Sequence, residues 1–492
     1  MIRALCLATL LVPTALAAAQ QEPIVELKNR TIPVRGGQYV AATGKLRVRE
    51  DRSNPASRTI ELAFAQLTAT TDEPGPPLIV LPGGPGNGAT GLARSPIWRR
   101  YLELGDVVLM DPRGVGRSQP DLRYRAASFD ATRLFADRAG AIAAMCALGR
   151  EAATHYADQG IEIGGYHTQA LADDIEALRR ALGYEQVHAL GHSYGTHLGL
   201  CILRRHPGTI ARFVAVATAG TGDMMKRPGD LDRSLSHLSE VIAQDSVVGS
   251  QMPDFAALVA EVVADLAREP LPVPVLAPHS GAEVEVPLGP FGLRLLLLAD
   301  LGDTNDLPVF PRLLHTLRQR DPSLVRWFLQ KRVDQFAALP GMMLAVRGAS
   351  GATAARWQRI RDEGTRSPFG VARCMFSPEL DEALGVRDLG DAFRAPVVSD
   401  VPTLLVSGTL DAHTPPEQAE RVRQGLPNAG HLVVEHGGHE DLLPDPEVQA
   451  RILAFLAGGA PTDERLSRPP LRFAALDGDP GDVTHPALDA GR

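Results

Sequence analysis

Gly191-His192-Ser193-Tyr194-Gly195 stands between a short apolar run, Val187 to Leu190, and a helix-like run, Tyr194 to Arg205. A strand, then G-x-S-x-G, then a helix is the pattern of a nucleophile elbow. Such a turn is sharp enough to lift a serine hydroxyl clear of the backbone. Glycines two residues to either side let strand and helix approach without a Cβ clash. With 47 glycines in 492 residues, a chance match arises about 0.2 times per chain, so the flanking sequence must carry the assignment.

Working outward, short apolar runs recur between helix-like stretches. Leu78 to Leu81 and Val107 to Met110 read as fully buried strands, and Lys45 to Glu50 and Thr59 to Thr68 alternate as half-buried ones. Thr168 to Leu182 is helical, with Leu171, Ile175, Leu178 and Leu182 on one face, Thr168 as its cap and Gly183 as its stop. Phe213 to Ala217, Thr403 to Ser407 and Leu432 to Glu435 complete the strands. Alternating β and α elements predict a mostly parallel sheet covered by helices on both faces, an α/β fold. Residues 20–219 and 396–458 form the two parts of this core. Residues 220–395 hold long helical runs such as Asp254 to Arg268, with no β-α alternation. They read as a helical cap inserted at the carboxyl side of the sheet, where ligands bind, and so as a roof over the site. Residues 459–492 are rich in Pro, Asp and Gly and read as an extended or partly disordered tail.

Residues 1–19 begin with Arg3 and an apolar run and end in Ala15-Leu16-Ala17-Ala18-Ala19, which reads as a secretory signal peptide. The expected location is secreted or periplasmic. No later run is long and apolar enough to span a bilayer. The net charge of −8 and the lack of a basic patch argue against nucleic-acid binding. There is no C-x-x-C pair, so a structural zinc site is not expected. Cys6 lies in the signal, Cys201 reads as a small buried hydrophobe, and Cys146 and Cys374 either pair in an oxidising compartment or stay free.

A serine nucleophile needs a base, an orienting acid and donors for an oxyanion. The chain order Ser, acid, His is present. Asp411 follows the strand ending at Ser407, and His439 follows the strand ending at Glu435 in His436-Gly437-Gly438-His439. The two are 28 residues apart, room for one helix and one strand. His436 is the second choice for the base, and His413 reads as a loop histidine. Gly83-Gly84-Pro85-Gly86 follows Leu78 to Leu81, which nominates the Gly84 N–H, with that of Tyr194, as the oxyanion donors. Asp111-Pro112-Arg113-Gly114-Val115-Gly116 lacks dinucleotide-binding spacing; Asp111 and Arg113 read as braces for the active-site loops, through an ion pair or backbone hydrogen bonds. This constellation needs no cofactor and no metal.

The runs GGPG, DPRGVGRS, GHSYG, GTLDAHTP and GGHE together resemble the prolyl and tripeptidyl aminopeptidase family of α/β-hydrolase serine peptidases, over roughly Lys45 to Ala457. DPRGVGRS, the long insertion and the signal resemble its secreted tripeptidyl-aminopeptidase branch. The resemblance implies an α/β-hydrolase fold and hydrolysis at peptide amino termini, with a substrate whose free amine meets acidic cap residues. Glu240, Glu261, Glu363 and Glu379 are the candidates. One departure is Pro82, where many prolyl aminopeptidases carry His before GGPG, so a strict proline specificity is not expected. The catalytic runs serve an exported carboxylesterase or lipase equally well. A non-catalytic binding protein on the same scaffold ranks last, because the residue set is complete. Released product length and oligomeric state are not written in the sequence.

Overall fold

The computed structural model describes residues 23–126, 129–371, 377–479, 481 and 483–490. Residues 1–19 and Cys374, and with them the signal and the Cys146–Cys374 pairing, lie outside the described residues. An antiparallel meander of β1 (Ile24–Val34), β2 (Gly37–Arg49) and β3 (Thr59–Leu67) opens the fold. β4 (Leu78–Leu81) and β5 (Val107–Met110) follow, and β6 (Arg123–Arg125) is a short strand outside the main sheet. Next come β7 (Val187–His192) and β8 (Ile210–Val216), then an antiparallel hairpin of β9 (Leu271–Leu276) and β10 (Glu283–Leu288). β11 (Ala338–Pro340) pairs with β6, and β12 (Thr403–Gly408), β13 (Ala429–Val434) and β14 (Glu464–Leu466) return to the sheet.

The main sheet has ten strands in the order β1-β2-β3-β5-β4-β7-β8-β12-β13-β14. From β5 to β14 every neighbour is parallel. Strands of four residues such as β4 and β5 are buried throughout, as a sheet covered on both faces requires. Their alternation feeds two cores. Ile79, Leu81, Val108 and Met110 point to one face, packed with the helix Tyr194–Arg205. Leu78, Val80, Val107 and Leu109 point to the other, packed with Trp98, Tyr101 and the helix Pro446–Leu456.

Four local expectations need correction. Thr168 is the first residue of its helix, and His167 caps it, its Nδ1 accepting the Ala170 N–H at 3.2 Å. The segment between β8 and β12 is not purely helical, since it contains the β9–β10 hairpin. Pro272 and Pro274 hid that strand, although both share one parity and so leave the ladder bonds to the residues between them. The tail is neither wholly extended nor loose. It supplies β14, then lays Phe473, Ala474, Leu476 and Leu488 into the apolar core. Its Ala474 N–H donates to Pro308 O at 2.9 Å, and His485 Nε2 meets Asp306 Oδ1 at 2.8 Å. Asp111 braces loops, whereas Arg113 is bound to the helix Thr168–Ala181 and to the carbonyls of Glu50 and Gly165, away from the Ser193 cavity. Asp111 accepts from Thr90 and the Arg117 N–H, while the buried Arg113 forks onto Asp174.

Candidate active site

Ser193 sits at φ 54°, ψ −118° between β7 and the helix Tyr194–Arg205, a conformation L residues rarely hold. The flanking glycines explain how the turn closes. A Cβ on Gly195 would stand 1.9 Å from Leu81 O, and one on Gly191 would stand 2.6 Å from Gly195 O. The serine hydroxyl therefore projects from the carboxyl end of the central strands.

β12 lies beside β8 and β13 beside β12, and their carboxyl-end loops bring the other two residues to Ser193. His439 Nδ1 is 2.8 Å from Asp411 Oδ2, and His439 Nε2 is 2.9 Å from Ser193 Oγ. An ionised carboxylate only accepts, so Nδ1 carries the hydrogen and Nε2 is free to take the serine proton. Asp411 is wholly buried. Its Oδ1 accepts the N–H groups of His413 and Thr414, and its Oδ2 also accepts the Thr414 hydroxyl. Burial works against its charge, but the His439 imidazole, with His413 and Thr414, holds its carboxyl well below the usual carboxylate range. Such an acid orients the imidazole and stabilises the imidazolium.

The second-choice base, His436, points elsewhere, its Nδ1 facing Arg468 O at 2.9 Å. His413 packs its ring against His439 with centroids 4.9 Å apart. Sequence reasoning missed His192, the variable residue of the elbow. Its Nε2–H donates to His439 O at 2.9 Å and so holds the base loop from below. It also missed Gly302, whose carbonyl accepts the His439 N–H at 2.7 Å. No spacing in the sequence links either residue to His439.

Gly83, Gly84, Tyr194, Ser193 and His439 line one cavity of about 390 Å³. Gly83 is close to Ser193, since a Cβ there would lie 3.3 Å from Ser193 Cβ. Residues between β8 and β12, including Leu295, Arg332 and Met343, line the other side. The four glutamates expected to meet a substrate amine do not line it. Glu363 pairs with Arg227 and accepts the Gly229 N–H, and Glu240, Glu261 and Glu379 are exposed on the outside of their helices. Among the described residues, Glu440 is the one carboxylate on the cavity wall. His192, His439 and Glu440 lie close enough to share a metal ion, yet both histidines already serve the hydrogen bonds above. No helix among the described residues is long and apolar enough to cross a membrane.

A mostly parallel sheet with a strained serine at the tip of a central strand, followed in the chain by acid and histidine, defines an α/β-hydrolase. Residues 76–268 match the family described as alpha/beta hydrolase fold, and residues 386–466 match one described as TAP-like protein. The chain has the α/β-hydrolase fold. It is 29% identical over 203 residues to the serine protease Hip1 of Mycobacterium tuberculosis, covering 38% of this chain and 37% of that one. It is 32% identical over 183 residues to a tripeptidyl aminopeptidase of Streptomyces coelicolor, covering 35% and 34%. A probable proline iminopeptidase of the same species is 32% identical over 147 residues, covering 30% and 33%. The chain thus spans about a third of the length of the curated relatives it matches.

Proposed function

We propose that this chain is an exported serine hydrolase that releases residues or short peptides from peptide amino termini through an acyl-enzyme. The observation that carries the hydrolase reading is the hydrogen-bonded line Asp411–His439–Ser193. Ser193 attacks the carbonyl, and His439 takes its proton and passes it to the leaving group. Asp411 orients His439, and the N–H groups of Gly84 and Tyr194 hold the oxyanion. Water then releases the acyl group by the same relay. Residues 220–395 act as the cap, in keeping with their side chains on the cavity wall. The peptidase reading is supported by relatives named as a serine protease, a tripeptidyl aminopeptidase and a proline iminopeptidase. Export rests on residues 1–19.

A second reading, an exported carboxylesterase, is favoured by one observation: the four cap glutamates stand away from the cavity. Hydrolysis of aminoacyl and tripeptidyl anilides with free and blocked amino termini, beside p-nitrophenyl esters, separates the two. The aminopeptidase reading expects blocking to abolish anilide turnover. Fast ester hydrolysis with no anilide turnover would leave the esterase.

A further inference from the structure

Three cations from three separate elements converge on the Ser193 cavity. Lys226 comes from the segment after β8, Arg332 from the helix Ser323–Phe336, and Arg347 from the helix Gly341–Ser350. The only carboxylate facing them on the wall, among the described residues, is the exposed Glu440. The rest of the lining is largely apolar, with Met224, Leu295, Leu298 and Phe336.

The helix Gly341–Ser350 sets Arg347 deep in this space. One turn earlier Met343 meets the oxyanion loop, its Cβ standing 3.4 Å from where a Cβ on Gly86 would sit. Three residues later Ser350 Oγ lies 3.4 Å from His197 Nε2 on the elbow helix. Residues four apart share a helix face, so Arg347 follows Met343 into the cavity. Burial brings its guanidinium down to about 10. Arg332 is tied to Asp300 and to Gln335 Oε1, and its buried Nε makes no hydrogen bond. Lys226 is near enough to His197 to help hold that imidazole in its neutral form, after burial itself. Lys226 Nζ also meets Gln418 Oε1 at 3.5 Å, and with three cations and one carboxylate on its lining the wall favours an anion over a neutral group. Guanidinium and carboxylate also match as a two-pronged pair.

We propose that the cavity beside Ser193 takes a carboxylate of the substrate, bound by Arg347 and Lys226 with Arg332 on the facing wall. The apolar lining then holds the short aliphatic chain between that carboxylate and the reacting carbonyl. The substrate class is an acyl compound with a second, anionic carboxyl group. That group belongs either to the acyl part, as in a dicarboxylic monoester or an acidic residue, or to the leaving part, as in the free carboxyl end of a short peptide. This inference rests on the serine-hydrolase reading.

The test uses the full chain and matched substrate pairs. The p-nitrophenyl monoester of glutaric acid is compared with that of pentanoic acid, and a tetrapeptide with a free carboxyl end is compared with its amide. The expected result is a kcat/KM ratio, anionic over neutral, of about ten or more for one pair, the size of one charge-assisted bond. The pair that shows it identifies which part of the substrate carries the anion. Arg347→Gln should lower that ratio by about tenfold, and Arg347→Lys should recover part of it. Lys226→Met, read in the same way, serves if the Arg347 variants do not fold. A ratio at or below one in both pairs, or one untouched by these substitutions, overturns the proposal while Ser193 still reacts with a fluorophosphonate. Loss of both labelling and all turnover in the unaltered chain removes the hydrolase reading and this inference together.

Discussion

The backbone N–H of His439 donates to the carbonyl of Gly302 at 2.7 Å. A residue of the segment between β8 and β12 thereby holds the loop that carries the proposed base. The contact is tight on both sides. A Cβ on Gly438 would stand 2.6 Å from Gly302 O, and a Cβ on Gly302 would stand 2.7 Å from the Ala412 N, next to Asp411. One turn of the segment between β8 and β12 is wedged between the Asp411 loop and the His439 loop.

Gly302→Val should therefore impair catalysis more than binding. Gly302 has φ +111°, where a branched side chain is strained by roughly 1–3 kcal/mol. Relieving that strain moves either loop. The expected outcome is a fall in kcat of about ten- to a hundredfold, with KM changed less. Unchanged kcat would show that the loops hold their geometry without this contact.

Removing the proposed nucleophile or its partner gives graded losses. Ser193→Ala should abolish turnover and fluorophosphonate labelling while circular dichroism stays the same. Asp411→Asn keeps the shape, but its amide no longer stabilises the imidazolium, and kcat should fall by about 10⁴. Retained turnover in Ser193→Ala would sink the mechanism.

Acid should destabilise the fold through buried histidines. Burial holds His188 and His197 down to about 4, against an ordinary value of 6.5. Above pH 6.5 both are neutral folded or unfolded, and their contribution is fully present. As pH falls from 6.5 towards 4, the unfolded chain takes protons that the folded chain refuses, so stability drops, by up to roughly 3 kcal/mol per group. Tm measured between pH 7.5 and 4.5 should fall, and His188→Leu should make the decline shallower. An identical slope in that variant would exclude His188 from the effect.

The tail is expected to hold the segment between β8 and β12. Ending the chain after Leu466 removes Phe473, Leu476 and Leu488 from the core and uncovers Trp327 and Phe328, on which His485 packs. Tm should fall by at least about 5 °C, with new binding of a hydrophobic dye. A truncated chain with the original Tm would show the tail to be passenger sequence.

Much of the core was legible because its signals are local. β4 and β5 are unbroken apolar runs, and the elbow glycines sit where the backbone itself demands them. Asp411 and His439 were found because each follows a short strand in the required chain order. The β9–β10 hairpin was hidden by its prolines, and β14 by its length of three residues. His167 displaced Thr168 as a helix cap through the geometry of one turn, which composition does not encode.

The sequence alone nominated Ser193, Asp411 and His439 and laid out the parallel core, because these readings depend on turns and strand ends a few residues long. Tertiary structure alone decided what surrounds them. It turned Glu240, Glu261, Glu363 and Glu379 away from the cavity, set Lys226, Arg332 and Arg347 on its wall, and brought Gly302 under His439. Those placements depend on how helices far apart in the chain pack against one another, and no periodicity within a single helix states which neighbour its polar residues will face.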